Sequence, residues 1–335
     1  PPRSTLSSSS AASDVYKRQL SWDFMRINDY LSTFLSAGFY YKTFMWPKAF
    51  WEKVYEPIIR NAAGLGKLSK ESDPSTYDKG YLHCDLLVIG AGPAGLYSAL
   101  IAARTGAKII VVDEDFILGG SFNGENININ DNICSDWVKS ILSELNSLKN
   151  VRLMSSTTLY GSFDHGIYGA VERVSDHLKT PDPGKPRQIL WRIYTKQTIL
   201  CSGATERSIV FENNDRPGIM LSGAIRNYVN RWAVTPNQNV AIFTNNNDGH
   251  QTARALINKG VNVAAVIDTR KKKIDSPDYE TFSNSVVSNT HGRLGLDSIN
   301  IKHEDGTQRT VKSVSYTHLR AHETDSYLVC RLLLE

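Results

Sequence analysis

The chain has 335 residues, 41% hydrophobic and 21% charged, with a formal charge of +4. That length suggests about two domains with cores of their own. The small, scattered basic excess excludes nucleic acid as an implied partner, and no apolar run approaches the roughly 18 residues of a membrane helix. Cys84, Cys134, Cys201 and Cys330 lie far apart and form no CxxC pair. This points to reduced thiols in a cytoplasmic setting rather than to disulfides, zinc or iron–sulfur centres.

Residues 1–19 are serine-rich, and the stretch from Val314 to Glu335 has neither helical nor strand periodicity. The string DVYKRQ before Leu20 and the string SYTHLRAHETDSYLVCRLLLE near the end are similar to translated sequencing-adapter read-through. Native sequence is therefore expected from about Leu20 to Ser313, with a natural disordered tail as the alternative at each end.

Residues 20–80 form an aromatic-rich helical segment followed by a linker. Trp51, Tyr55 and Ile58 sit at helical spacing, so one face of a helix around Phe50 to Asn61 is expected to be buried, with Pro57 capping or kinking it. Such a density of rings points to packing against another domain or another protein chain. Lys67 to Gly80 is polar, rich in turn formers, and reads as a linker.

From Cys84 the pattern changes. Asp85 to Ile89 is a buried strand, Pro93 to Arg104 a small-residue helix and Lys108 to Val112 a second buried strand. Trp137 to Leu148 reads as helix and Val151 to Met154 as strand. Trp191 to Tyr194 and Gln197 to Cys201 read as strands flanking a turn at Thr195 and Lys196. Alternating strands and helices argue for an α/β fold with a parallel sheet. The glycine motif after the first strand and the later segments make it the FAD/NAD(P)-binding Rossmann-like type, with two dinucleotide-binding domains. Residues 81–238 form the first, incomplete, and residues 239–313 a second Rossmann-like unit.

The first strand runs directly into Gly90, Ala91, Gly92, Pro93, Ala94 and Gly95. Gly90 permits a tight turn, Gly92 lets a pyrophosphate approach bare backbone, and Gly95 lets the helix pack on the strand. The helix N-terminus offers free N–H groups to the phosphates, and Pro93 suits its first turn. Ala99 faces the sheet, Gly106 ends the helix, and the return strand delivers Asp113 and Glu114 where a carboxylate meets ribose hydroxyls. Asp113 fits the usual spacing better, and an acid here disfavours NADP against NAD or FAD. Gly119, Gly120 and Ser121 either line the phosphates or form a flexible turn. Thr198 to Ala204 resembles the strand with which flavoprotein reductases close the cofactor site, ending in Gly203 and Ala204.

Asn239 to Arg270 repeats the strand–helix–strand plan with a strand at Val240 to Phe243, a helix at Gly249 to Asn258 and a strand from Val261 to Ile267. Its glycine positions hold Thr244, Asn246 and Gly249. A side chain at the middle position stands where a pyrophosphate must approach, so structural support is the expected role.

Residues 20–313 resemble the alpha subunit of heterotetrameric sarcosine oxidase. The resemblance rests on GFYYKTFMWP from Gly38, FWEKVYEPIIRNAAGLG from Phe50, FDHG from Phe163 with GAVERVSDHL, LWRI from Leu190, ERSIVFENNDRPGIML from Glu206 and FTNNND from Phe243. It implies a flavoprotein complex of one-carbon metabolism in which this chain binds NAD, or alternatively FAD. The beta subunit then carries FAD, and FMN lies between alpha and beta. Sarcosine is demethylated to glycine at the partner flavin, with tetrahydrofolate as one-carbon acceptor and beta, gamma and delta subunits as partners. It further implies a ferredoxin-like domain before Leu20 and an aminomethyltransferase-like domain at the far end, making this chain an internal fragment that is inactive alone. Opine-oxidase and cyanide-synthase subunits share parts of the pattern.

Position by position, the resemblance favours Gly90, Gly92, Pro93, Ala94, Gly95, Asp113 and Glu114 as nucleotide ligands, followed by Gly120, Ser121, Thr158, Gly203 and Ala204. Thr158 enters because the strand after Val151 presents backbone groups to the adenine. No catalytic residue and no metal ligand are assigned. His165 in FDHG and the pair Asp215 and Arg216 read as a turn histidine and a hinge ion pair. Two other functions compete: a self-contained flavin reductase of the disulfide type, which needs a redox cysteine pair, and a non-catalytic scaffold stabilised by its nucleotide.

Overall fold

The computed structural model describes residues 50–62, 72–73, 75–129, 132–178, 184–235, 239–271, 278–292, 295–312 and 315–319. Most of the aromatic-rich stretch, residues 20–49, lies outside them. The chain divides into two compact units, one made of residues 1–76 and 174–187, the other of residues 77–173 and 188–335.

In the first unit, a π-turn at Trp51–Tyr55 leads into α1, Glu56–Ala62, with Pro57 in its first turn, where a missing N–H costs little. Of the three residues expected on one buried face, Trp51 and Tyr55 are half-buried and Ile58 is 62% exposed. Arg187 joins two described stretches of this unit. Its amide donates to the Thr76 carbonyl and its Nε to the Asp176 carboxylate.

The second unit is built on one mixed sheet of six strands and one parallel sheet of five. Its chain order begins with β1 (Tyr77–Ile89), α2 (Pro93–Arg104) and β2 (Ile109–Val112). A 3₁₀ turn at Gly120–Asn123 and a two-residue ribbon, β3 (Asn128–Ile129) with β4 (Asn132–Ile133), lead to α3 (Cys134–Ser147) and β5 (Val151–Met154). A meander follows, made of β6 (Thr157–Phe163), β7 (Ile167–Arg173) and β8 (Gln188–Leu200). The sheet order is β5-β2-β1-β8-β7-β6, with β5, β2, β1 and β8 parallel and β7 and β6 antiparallel.

β2 reads Ile-Ile-Val-Val and is buried on both faces, as a central parallel strand must be. Val88, Ile109 and Val111 pack with Leu96, Ala99 and Leu100 of α2 and Val138, Ile141 and Leu145 of α3. Leu87, Ile110 and Val112 point to the opposite face, against Met154, Ala170 and Ile193.

Two local expectations are corrected. Tyr77 to Gly80 belong to β1, not to a linker, because they pair in register with Gln188 to Trp191. Thr195 and Lys196 make no turn. They continue β8, whose pairing with β1 runs from Gln188 to Leu200 and carries the polar residues through, with Lys196 pairing to Asp85 at 2.8 Å.

The chain then passes through β9 (Ile219–Leu221), α4 (Ser222–Arg226) and a π-turn (Asn227–Arg231) into β10 (Asn239–Thr244), α5 (Asn247–Ile257), β11 (Asn262–Asp268) and β12 (Thr281–Ser283). An antiparallel meander, β13 (Ser285–His291), β14 (Ser298–His303) and β15 (Gln308–Lys312), covers one face. Phe243, Ala265 and Ile267 pack there with Val287, Ile299 and Ile301, while Ile242, Val263 and Val266 meet Ile225, Ala253 and Leu256 on the helical face. The sheet order is β12-β11-β10-β16-β9, where β16 is Ser315–Leu319. This strand corrects the reading of residues after Val314 as lacking strand character. Its Tyr and Thr are strand formers, and the slot between β10 and β9 asks only for five residues of parallel pairing.

Candidate nucleotide-binding site

The candidate site is a crevice of about 680 Å³ at the C-terminal ends of β1, β2 and β8. After β1 the chain moves to β2 on one side, while β8 enters on the other. This switch point is where open parallel sheets leave room for a ligand. The three strand ends are tied by backbone hydrogen bonds from Gly90 N–H to the Val112 carbonyl at 2.8 Å and from Cys201 N–H to the Ile89 carbonyl at 2.7 Å.

Gly90 has φ +98°, a conformation that glycine adopts at little cost, and a side chain there would collide with the Cys201 backbone. Gly92 caps α2 with extended backbone and no side-chain hydrogen bond, and Pro93 opens the helix. A Cβ at Gly92 would find nothing closer than 4.0 Å, so the bare face of the turn opens to the crevice. The amides of the first turn of α2 have no intrahelical partner and carry the positive end of the helix dipole.

Gly119 donates to the Ala91 carbonyl at 2.9 Å, and a Cβ at Gly120 would lie 2.7 Å from the Gly92 Cα. The segment is thus docked backbone-to-backbone on the glycine turn. Gly120 and Ser121 line the same crevice as Gly90, Gly92, Pro93, Ala94, Asp113, Glu114, Thr158, Gly203 and Ala204. Gly95 is apart from this set. It lies beneath the turn against the Gly90 carbonyl, the helix–strand contact that its spacing implied.

The two carboxylates behave differently. Asp113 Oδ2 accepts from Ala91 N–H at 2.6 Å and Oδ1 from Asp115 N–H at 2.9 Å. It therefore braces the glycine turn and keeps only part of its accepting capacity for a ligand. Glu114 is exposed at the rim. Asp115, which sequence reasoning passed over, lines the crevice and is clasped by Arg231, with Nη1 and Nη2 at 2.6 and 2.7 Å from its two oxygens. The arginine holds the Asp115 carboxyl below the usual carboxylate range. Only the run of three acids after β2 hinted at it. Cys201 and Ser202 also line the crevice, and burial pushes the Cys201 thiol up.

The other singled-out residues lie elsewhere. His165 takes a left-handed conformation between β6 and β7 and lines a separate hollow with His83, Cys84 and Asp85. Arg216 donates to the Gly292 carbonyl, and among the described residues no ion pair joins it to Asp215. The hinge pair is therefore corrected to a side-chain-to-backbone tie. No group of His, Cys, Asp and Glu able to hold a metal occurs among the described residues, and no described helix is long and apolar enough to cross a membrane.

In the second module the corresponding positions are self-satisfied. Asn246 Oδ1 accepts from Asp248 N–H at 2.9 Å and Gly249 N–H at 3.4 Å, so the helix caps itself where a phosphate would bind. Asp268, at the end of β11 as Asp113 is at the end of β2, is fully buried and accepts from His250 and from the Arg270 side chain and amide.

Residues 85–168 match the family model of FAD-dependent oxidoreductases. Over 86% of its length the chain is 45% identical to the alpha subunit of sarcosine oxidase from Rhizobium meliloti, of which it spans 30%. The chain is a homologue of the sarcosine oxidase alpha subunit. It is also 38% identical over 68% of its length to the corresponding protein from Corynebacterium, covering 24% of it. One of the opine oxidase subunits of Agrobacterium tumefaciens is 28% identical over 55% of this chain and is covered to 37%. The chain thus spans little more than a third, or less, of the length of these relatives. Its fold is that of FAD/NAD(P)-binding Rossmann-like flavoproteins. T. acidophilum thioredoxin reductase superposes with a TM-score of 0.55 at 15% identity, over 73% of this chain and 79% of that one. P. horikoshii L-proline dehydrogenase gives 0.54 at 20% identity, over 75% and 44%.

Proposed function

We propose that this chain binds a dinucleotide through its ADP half, as part of the alpha-type subunit of an oxidase complex acting on sarcosine or a related N-methyl amine. The observation that carries the reading is the open face of Gly92 between the α2 N-terminus and Gly120, with Asp113 and Glu114 beyond it. In this arrangement the α2 amides and the two glycine turns hold the pyrophosphate. Asp113 and Glu114 accept from the ribose hydroxyls, and Thr158 borders the adenine end. Gly203 and Ala204 close the far side.

The ADP half is common to FAD and NAD, and the family match over residues 85–168 supports FAD. Bound FAD or NAD supplies hydride-accepting chemistry. This chain's own residues bind and orient the nucleotide, and amine oxidation belongs to the flavin of a partner subunit. Partner subunits of beta, gamma and delta type, FMN and tetrahydrofolate are features of the proposed whole complex. The disulfide-reductase alternative is disfavoured because Cys84, Cys134 and Cys201 are free and mutually distant in sequence.

The test is to purify the chain and identify by mass spectrometry what it retains after gel filtration. FAD or NAD at near-stoichiometric amount is expected, and recovery of neither would overturn the reading. Turnover of sarcosine by the isolated chain would show that the chemistry had been placed on the wrong subunit.

A further inference from the structure

We infer that Arg231 is a positioning residue for the nucleotide site: from the helix leading into the second module it holds the loop of Asp113 and Glu114 in the geometry that meets the ribose. This rests on the nucleotide reading above and goes beyond it by assigning part of that site to a residue that does not line the crevice.

The link is a continuous chain of short polar contacts. Arg231 grips both oxygens of Asp115, at 2.6 and 2.7 Å. The Asp115 amide donates to Asp113 Oδ1 at 2.9 Å, and Asp113 Oδ2 accepts from Ala91 N–H, inside the glycine turn, at 2.6 Å. The Asp115 carbonyl accepts from Ser156 N–H at 2.8 Å, which fixes the loop on its other side. The guanidinium itself is locked. Its side chain is 13% exposed and lies 5.2 Å from the Phe116 ring centre and 4.8 Å from that of Trp232.

Charge makes the arrangement necessary. Asp113, Glu114 and Asp115 are three consecutive acids, and like charges this close repel. Pairing Asp115 with Arg231 removes one of the three from the repulsion and occupies both of its carboxylate oxygens. Asp113 and Glu114 are left to face the crevice. A planar fork engaging both carboxylate oxygens sets the direction of Asp115 as well as its charge, which a lysine cannot do.

The test uses the full chain stripped of bound nucleotide, with ADP and 2′-deoxy-ADP as probes in titration calorimetry. For the unaltered chain, losing one hydroxyl bonded to a carboxylate is expected to weaken binding about ten- to a hundredfold. In Arg231→Met that ratio is expected to fall to within about threefold, because the carboxylates no longer stand where the hydroxyl needs them. A purely structural loss would weaken both probes alike and leave the ratio unchanged, and that result overturns the inference while the nucleotide reading stands. Arg231→Lys, which keeps charge and stem but not the fork, is expected to lower the ratio too. It decides the matter should the Met variant fail to fold, and an unaltered ratio in it has the same force. No ADP binding by the unaltered chain overturns the nucleotide reading and the inference with it.

Discussion

Gly95 lies so close beneath Gly90 that a Cβ at position 95 would overlap the Gly90 carbonyl oxygen. Gly92, three residues earlier, has open space where its Cβ would be, with Gly120 the nearest neighbour at 4.0 Å. Two glycines of one motif thus answer to different demands, one to packing and one to the ligand. Gly95→Ala is expected to lower unfolding stability by about 1–3 kcal/mol, as overpacking does. Gly92→Val is expected to leave the unfolding midpoint of the nucleotide-free chain nearly unchanged and to abolish nucleotide retention. Thermal unfolding and absorbance after gel filtration measure the two effects, and full retention in Gly92→Val would show that the crevice is not the site.

Asp113 and Glu114 separate in the same way. Removing the Asp113 carboxylate strips the acceptor from the Ala91 and Asp115 amides, at a cost of about 1–3 kcal/mol for partly buried donors. Asp113→Ala should therefore lower both stability and nucleotide affinity. Glu114→Ala removes an exposed side chain and should lower affinity alone. Equal loss of stability in the two variants would contradict the bracing role of Asp113.

The first βαβ module was legible in the sequence because its elements obey local rules. A strand with no polar break, a turn of three glycines and a small-residue helix ending at Gly106 leave little choice of geometry. The helix Pro93–Arg104 and the strand Val151–Met154 form over the expected residues. The continuity of β8 through Thr195 and Lys196 was not legible, because it depends on β1 beside it rather than on its own polar residues. Nor was the strand Ser315–Leu319, which gains its form from neighbours far away in sequence. Within the site, the glycines and carboxylates could be read from spacing. Arg231 could not, since a residue 116 positions from Asp115 leaves no periodic trace.

The second module should not gain a nucleotide by restoring its glycine alone. In Asn246→Gly the helix loses a side-chain cap, worth a few tenths of a kcal/mol when glycine replaces it, and the phosphate position is opened. The ribose position stays closed, because Asp268 is held by His250 at 3.0 Å and by Arg270 Nη2 at 2.7 Å. The expected result is an unchanged nucleotide-to-protein ratio. Burial works to raise the Asp268 carboxyl, but hydrogen bonds from Arg270 and His250 outweigh it and hold the group below its ordinary value. A depressed carboxylate contributes stability above its unfolded value of about 4, lost as pH falls through the folded value. Asp268→Asn should therefore destabilise at neutral pH by about 1–3 kcal/mol, weakening the bonds from Arg270 and His250, and should flatten the acid limb of the stability–pH curve. An acid limb unchanged in this variant would show that other carboxylates govern acid unfolding.

Glu125 presents the opposite sign. Its carboxylate lines a hollow of about 250 Å³ with Arg226 and Arg254, and it is 27% exposed. Burial pushes its carboxyl up. Arg226, 3.9 Å away, only partly counters this, and Asp248 adds to it. Arg226 is the poorer partner for Glu125 because its Nη1 is already bonded to Asp248 at 2.7 Å. A carboxylate whose folded value is raised costs stability above that value and nothing below its unfolded value. Glu125→Gln, which keeps the shape and removes the charge, is therefore expected to raise the melting temperature at pH 7 by about 2 °C. At pH 4, where the native carboxyl is already protonated, the gain should vanish. A stabilisation that persists at pH 4 would mean the glutamine acts through a new hydrogen bond, and a loss at pH 7 would mean the Arg226 attraction outweighs the burial of the charge.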